Sequence, residues 1–171
     1  MGISRFKRAV LWTGLTVLGG CRFETDPAKK LPQGSAQQPV MQDFIFENHK
    51  GGDVVYVLKA VKAVFKQDQD SAQVDEPRLL VMRPNASGAA KERIRARGRS
   101  GTIDFKTKDI ELRGDVVYES LERSSVLTTQ RLIYWSARKE TEVPEGTGYV
   151  LTSPTGKVEG SSLISKEDLS G

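Results

Sequence analysis

The chain has 171 residues, a formal net charge of +4, one cysteine and one histidine. A single cysteine leaves no partner for an internal disulfide, and the single histidine, His49, excludes a histidine-rich metal site. Arg5, Lys7 and Arg8 carry three of the positive charges, so residues 21–171 have a net charge of only +1, which does not argue for nucleic-acid binding.

The first predicted element is a secretion signal over residues 1–20. A basic start is followed by an apolar run from Ala9 to Val17, which has the length of a signal-peptide core and is too short to span a membrane. The run ends in Leu18-Gly19-Gly20-Cys21, which resembles the bacterial lipobox, where a diacylglycerol is joined to the cysteine sulfur before cleavage just ahead of it. We therefore predict lipid attachment at Cys21. The alternative is an uncleaved signal anchor.

Residues 21–43 are predicted to form a flexible tether. They are rich in Pro, Gln, Gly and charged residues and have no apolar periodicity, a composition typical of linkers. A tether of this length lets the domain that follows, residues 44–171, stand away from a membrane surface.

Beyond the tether, apolar side chains recur at every second position, the period of half-buried β-strands. No stretch has a helical period for longer than two turns. The pattern predicts strands over residues 53–65, 77–83, 91–97, 109–116, 126–135, 148–152 and 157–163, with Pro- and Gly-containing turns between several of them. Seven or more short strands at regular spacing predict an all-β sandwich or barrel.

A basic residue stands at every second position of the predicted strand 91–97 and just beyond it. These residues are Lys91, Arg93, Arg95, Arg97 and Arg99. On a regular strand they share one face. That face is either a cationic strip for phosphate groups or a solvated surface neutralised by Asp109, Glu111 and Asp115 on the next alternating strand. We favour the solvated surface. A nucleic-acid platform would also need aromatic residues between the arginines.

The sequence contains no recognisable catalytic pattern. Its serines lack a Gly-x-Ser-x-Gly elbow, no glycine-rich phosphate loop precedes a helix, and no two carboxylates stand out as an acid/base pair. We therefore predict no catalytic residues, no metal and no cofactor, and a protein that is not an enzyme.

The strand motifs follow one another in the order and spacing of a known family. They are Tyr56-x-Leu58-x-Ala60-x-x-Ala63-x-Phe65, Pro77-x-Leu79-x-Val81, Ile94-x-Ala96 with Gly101-Thr102-Ile103, Ile110-x-Leu112-x-Gly114-Asp115-Val116, Leu127-Thr128-Thr129-x-x-Leu132-x-Tyr134, and Gly156-x-Val158-x-Gly160-x-x-Leu163. From about Asp43 to Leu163 the chain resembles LptC, the periplasmic C component of the lipopolysaccharide exporter. The resemblance implies a single open β-jellyroll, a twisted sandwich of two antiparallel sheets, with lipid chains in the apolar gap between them.

The alternation along the strands indicates which residues would line that lipid-binding slot. The residues in the inward phase are Leu58, Ala60, Leu79, Val81, Ile94, Ala96, Leu112, Val116, Leu127, Thr129, Leu132 and Tyr134. Ala60, Ala96 and Gly114 are small enough to leave room between the sheets, and an acyl-chain ligand needs an apolar slot on the order of 1,000 Å³. The same residues would equally form an ordinary sandwich core.

The resemblance implies a lipid conduit. Lipopolysaccharide would enter from the inner-membrane Lpt ABC transporter subunits and pass to the Lpt A component by edge-to-edge β-augmentation. The expected location is the periplasmic side of the inner membrane, held by the lipid on Cys21, where better-known members have an uncleaved helix. Arg22, in place of Asp, keeps the outer membrane open as an alternative. Two other functions stay open: a scaffold lipoprotein with a packed core, and an envelope hydrolase, which no residue constellation supports.

Overall fold

A computed structural model describes residues 38–84 and 90–170 of the protein. The predicted signal, Cys21 and most of the predicted tether lie outside these residues. Within them, no helix is long and apolar enough to cross a membrane.

The described residues fold into twelve β-strands, which confirms the predicted all-β class. The strands are β1 (Val40–Lys50), β2 (Asp53–Phe65), β3 (Ser71–Asp75), β4 (Arg78–Pro84), β5 (Ala90–Arg97), β6 (Ser100–Asp104), β7 (Ile110–Ser120), β8 (Ser125–Trp135), β9 (Glu140–Val143), β10 (Tyr149–Ser153), β11 (Gly156–Gly160) and β12 (Leu163–Lys166). Their pairings are antiparallel. Because β1 starts at Val40, residues 40–43 at the end of the predicted tether belong to a strand.

The strands form one antiparallel meander in which several short strands act as halves of longer ones. β2 pairs with β4 through Tyr56–Lys59 and with β3 through Lys62–Phe65. In the same way β7 pairs with β6 and then β5, and β8 with β10 and then β9. The meander therefore consists of eight long strands: β1, β2, β3–β4, β5–β6, β7, β8, β9–β10 and β11–β12.

The meander is folded in half into two facing sheets. Sheet A contains β4, β5, β10 and β11, sheet B contains β3, β6, β9 and β12, and the long strands β1, β2, β7 and β8 run through both. The fold line, which we call the spine, runs past Asp43, Glu76, Gly98 and Gly114–Asp115. Asp43, Glu76, Gly114 and Asp115 have φ values of 50°, 51°, 75° and 46°. This left-handed backbone interrupts the extended conformation and redirects β1, β3–β4 and β7 from one sheet to the other.

The hydrophobic core lies between the two sheets. Alternate residues of most strands point inward, and 21 apolar side chains of the described residues are buried there. Tyr56, Tyr118 and Tyr134 are the largest of the fully buried ones. The apolar faces of the two sheets therefore cover each other, as in other two-layer β-sandwiches.

The basic residues around β5 do not share one face, contrary to the prediction. Ile94 pairs with Val81 and Glu92 with Met82, so Arg93 is an extra residue in a β-bulge. Past the bulge, Lys91 lies opposite Arg83 and on the other face from Arg95 and Arg97. Arg99 lies between β5 and β6.

The predicted neutralisation of these cations is found in part. Arg99 pairs with Asp115 as expected. Glu111 instead binds Arg113 and Arg131, and the Asp109 carboxylate accepts a hydrogen bond from the Ser136 backbone N–H at 2.9 Å.

Candidate functional site

The twelve residues predicted for the lipid slot all lie between the sheets. Their exposure ranges from 0% for residues such as Leu58 to 7% for Ala60 and Thr129. Leu58, Leu79, Val81, Ile94, Ala96, Val116 and Leu127 belong to the sheet A side, Leu112, Leu132 and Tyr134 to the sheet B side, and Ala60 and Thr129 lie near the spine. The structure thus brings the set together and fills the gap with their side chains.

Thr129 and Tyr134 are the two residues of this set that carry a polar side-chain group. The Thr129 Oγ1 donates a hydrogen bond to the backbone carbonyl of Gly148 at 2.7 Å. The hydroxyl is therefore satisfied by the protein itself.

Opposite the spine, the end turns of the two sheets meet at what we call the mouth of the sandwich. At the β1 end, the mouth is covered by aromatic side chains. The Phe46 ring lies 5.5 Å from that of Phe105, which stacks on Phe65 at 5.7 Å, and Tyr56 of sheet A meets Tyr134 of sheet B edge to face at 5.9 Å. The Tyr56 hydroxyl also donates to the Lys108 carbonyl at 2.8 Å. These are side-chain contacts, so no β-ladder has to break for the sheets to separate here.

Next to these aromatic side chains, Arg83, Tyr118, Tyr134 and Glu167 form what we call the latch. Glu167 lies just after β12, is 3% exposed, and binds the Arg83 guanidinium on β4. Its carboxylate accepts a hydrogen bond from the Tyr134 hydroxyl at 3.1 Å, and its backbone carbonyl accepts one from Tyr118 at 2.6 Å. The latch therefore joins the C-terminal segment on sheet B to two strands of sheet A.

Burial keeps the latch tyrosines in their neutral, hydrogen-donating form. Desolvation raises the pKa of Tyr134 to about 12 and raises the pKa of Tyr118 further. Thr141 Oγ1 in turn donates to the Tyr118 hydroxyl at 3.0 Å. Each latch tyrosine is thus a donor to Glu167 throughout the physiological pH range.

The latch was not predicted from the sequence, although one signal pointed to it. Arg83 has the same phase as Leu79 and Val81, so a regular strand places its charged side chain on the inward face. A charge there needs a buried partner. Glu167 gave no such signal, because it follows a four-residue strand and is 84 positions away from Arg83 in the chain.

The outer strands leave backbone edges free on both sides of the sandwich. Among the described residues, β1 pairs only with β2, β11 only with β10, and β12 only with β9. Most of the exposed large apolar side chains lie on these strands: Val40, Met41 and Ile45 on β1, Val158 on β11 and Ile164 on β12. Free edges with apolar side chains are suited to accepting a further strand.

Residues 38–84 and 90–170 contain no group of three or more His, Cys, Asp or Glu side chains that could hold a metal ion. His49 is an exposed residue of β1, with its Nε2 3.1 Å from a Glu47 carboxylate oxygen. His49 and Glu47 are therefore not part of the candidate site in the gap.

An antiparallel meander folded into two sheets over an apolar interior defines a β-jellyroll protein. The sequence model of the family described as lipopolysaccharide-assembly, LptC-related, matches residues 10–144, and the chain belongs to this family. A search of curated proteins found no match. Family membership gives the chain a role in lipopolysaccharide transport, as a transport component of the periplasm associated with the inner membrane.

Proposed function

We propose that the gap between the sheets binds the acyl chains of lipopolysaccharide during export. The protein would receive the lipid from the inner-membrane ABC transporter and pass it to the A component without chemical change. The observation that carries this proposal is the mouth: an apolar interior runs between two sheets that, within residues 38–84 and 90–170, are joined by backbone only along the spine. Separation of the sheets at the mouth would expose the interior without unfolding either sheet.

The two sets of free edges supply the docking positions that such a bridge needs. A strand from the transporter would extend one edge, and a strand from the A component the other, each by β-augmentation. The exposed apolar side chains of β1, β11 and β12 would be covered in the process.

Photocrosslinking at neighbouring inward and outward positions tests the binding gap. A photoreactive residue at Leu112 or Leu132 should capture lipopolysaccharide, because both side chains are fully buried between the sheets. The same residue at Arg113 or Arg131 should not, because these side chains are 57% and 44% exposed on the outer face. Leu58 and Ala96 provide a second inward pair on sheet A. The measurement is the yield of lipid adduct in the assembled transporter.

Equal adduct yields on both faces would contradict the proposal. Absence of adducts at all four inward positions would favour the second candidate function, an envelope scaffold with a permanently packed core. The specific observation behind that alternative is that the gap is filled in this structure, with Leu58, Leu112 and Leu132 all at 0% exposure.

We further propose that the protein is held at the membrane by a lipid on Cys21. The support is the Leu18-Gly19-Gly20-Cys21 sequence after a short apolar run. Mass spectrometry of the membrane-extracted protein should find a chain that begins at Cys21 and carries acyl groups, and Cys21→Ser should remove both the cleavage and the added mass. An intact Met1 terminus with unmodified Cys21 would show an uncleaved signal anchor instead.

A further inference from the structure

Two arginines differ from all others in the described residues. Eight of the ten arginines there have a carboxylate oxygen within 4.0 Å: Arg83, Arg93, Arg95, Arg99, Arg113, Arg123, Arg131 and Arg138. Arg78 and Arg97 have none among the described residues. They are direct cross-strand partners on β4 and β5.

Lys59 extends the two arginines into a cationic row, formed by Lys59, Arg78 and Arg97. Lys59 on β2 is the cross-strand partner of Arg78, so the three exposed side chains lie side by side on the outer face of sheet A. Like charges directly opposite each other destabilise a sheet. A row of three is therefore unfavourable for the free domain and favourable for binding an anion.

Acidic residues lie near the cationic row, but none of those that the structure describes forms an ion pair with it. Glu92 is paired with Arg95, and Glu119 lies directly opposite the same arginine on β7. Asp43 and Glu76 line a neighbouring cavity together with Lys59 and Arg78, but neither carboxylate is within the 4.0 Å ion-pair distance of a cation of the row. The positive charge of the row therefore faces solvent.

A surface cavity of about 510 Å³ lies over the row. Lys59, Arg78, Arg95 and Arg97 line it together with Glu119 and the apolar residues Leu80, Ala96 and Val117. A second cavity of about 430 Å³ continues from Arg78 and Arg97 to Arg99. The surface thus combines a concave shape, several guanidinium groups and an apolar floor.

We propose that the cationic row binds the phosphate groups of anionic phospholipids at the membrane surface. Guanidinium groups match phosphate oxygens with paired hydrogen bonds, and the lysine ammonium adds a point charge. Association with the inner membrane brings such headgroups within reach of the domain. The row lies on the outer face of sheet A, so this interaction is separate from the gap and does not depend on what the gap carries.

Vesicle co-sedimentation of the full-length protein tests this proposal. Vesicles of equal parts phosphatidylglycerol and phosphatidylcholine are compared with vesicles of phosphatidylcholine alone. Because each cation at an anionic surface contributes roughly fivefold in affinity, Arg78→Gln/Arg97→Gln should lower binding to the anionic vesicles by roughly thirtyfold. Binding to the neutral vesicles, through the N-terminal membrane anchor, should not change.

The matched control is Lys66→Gln/Lys139→Gln, which removes the same charge from two exposed residues in the end turns of sheet B. It should alter binding by less than about twofold. An equal loss in this control, or unchanged binding of the arginine double variant, would overturn the proposal. Displacement of the protein from vesicles by inorganic phosphate, at concentrations equal to the lipid phosphate, would assign the row to free phosphate and equally overturn it.

A conservative variant separates charge from folding. Arg78→Lys/Arg97→Lys should retain binding within about fivefold, because the charges remain and only the forked hydrogen bonds are lost. If either double variant loses its β-strand circular dichroism signal, Lys59→Gln is used in its place. Its binding to the anionic vesicles should fall by roughly fivefold. Unchanged binding of a folded Lys59→Gln protein would then count against the proposal.

Discussion

Replacing Arg83 with methionine is expected to lower the free energy of unfolding by about 2–3 kcal/mol. The change leaves the Glu167 carboxylate, which is 3% exposed, with the Tyr134 hydroxyl as its remaining side-chain donor. Loss of one partner of a buried ion pair typically costs about 3–5 kcal/mol. A smaller loss is expected here because the Arg83 side chain is 43% exposed. Urea unfolding followed by circular dichroism measures the effect.

A double variant distinguishes this mechanism from a general packing defect. Adding Glu167→Gln to Arg83→Met removes the uncompensated charge and keeps an acceptor for Tyr134. The double variant should therefore be more stable than Arg83→Met alone, by roughly 1–2 kcal/mol.

Arg123→Met serves as the control for the latch variant, since Arg123 and Asp168 form a neighbouring ion pair at 3.3 Å with 51% and 29% side-chain exposure. A pair this exposed should contribute less than about 1 kcal/mol. Equal effects of Arg83→Met and Arg123→Met would show that the latch contributes no more than an ordinary surface pair.

Locking the mouth with a covalent bridge is expected to abolish lipid capture inside the gap. Asn48 Nδ2 and Ser136 Oγ lie 3.4 Å apart and join β1 to the turn after β8. In a Cys21→Ser background, Asn48→Cys/Ser136→Cys treated with a short bifunctional thiol reagent would hold the two sheets together. Photocrosslinking of added lipopolysaccharide from Leu112 should then fall to the level of the outward control Arg113.

A bridge within one hairpin controls for the chemistry. Ser153 and Thr155, with hydroxyl oxygens 3.0 Å apart in the β10–β11 turn, can be replaced by cysteines and treated in the same way. That bridge leaves the mouth free, so capture at Leu112 should be unchanged. Undiminished capture in the bridged Asn48/Ser136 variant would mean that lipid does not enter through the mouth.

Alternation along the strands was sufficient to predict the all-β class and the inward set. Leu58, Leu112 and Leu132 occupy the interior because a period of two fixes which face each residue takes. The sequence pattern missed β1, whose first residues were assigned to the tether, and it missed β3, β6, β9 and β12, which have only four or five residues each. Four or five residues are too few for an alternating pattern to stand out, even though β3, β6 and β9 each pair with a long strand close by in the chain.

Irregular backbone accounts for the other differences. At Asp43 the strand β1 skips a pairing position. Met41 and Phe44, three residues apart, lie opposite the buried residues Ala63 and Ala60, so the alternation is broken even though the Met41 side chain itself is exposed. The bulge at Arg93 has the same effect in β5 and divides the basic residues between two faces. The residue inserted at Arg93 reverses every assignment beyond it, and the amino-acid type at that position does not indicate an insertion.

The spine gives the proposed conduit the properties of an open trough. Since β1, β2, β7 and β8 pass through both sheets, the sheets stay attached along one whole side while the opposite side is held by side chains. A tunnel with a closed wall admits only what can be threaded through its bore. In a trough that is loaded from the side, acyl chains occupy the interior while a bulky saccharide stays outside, so the size of the sugar places no limit on passage from one edge to the other.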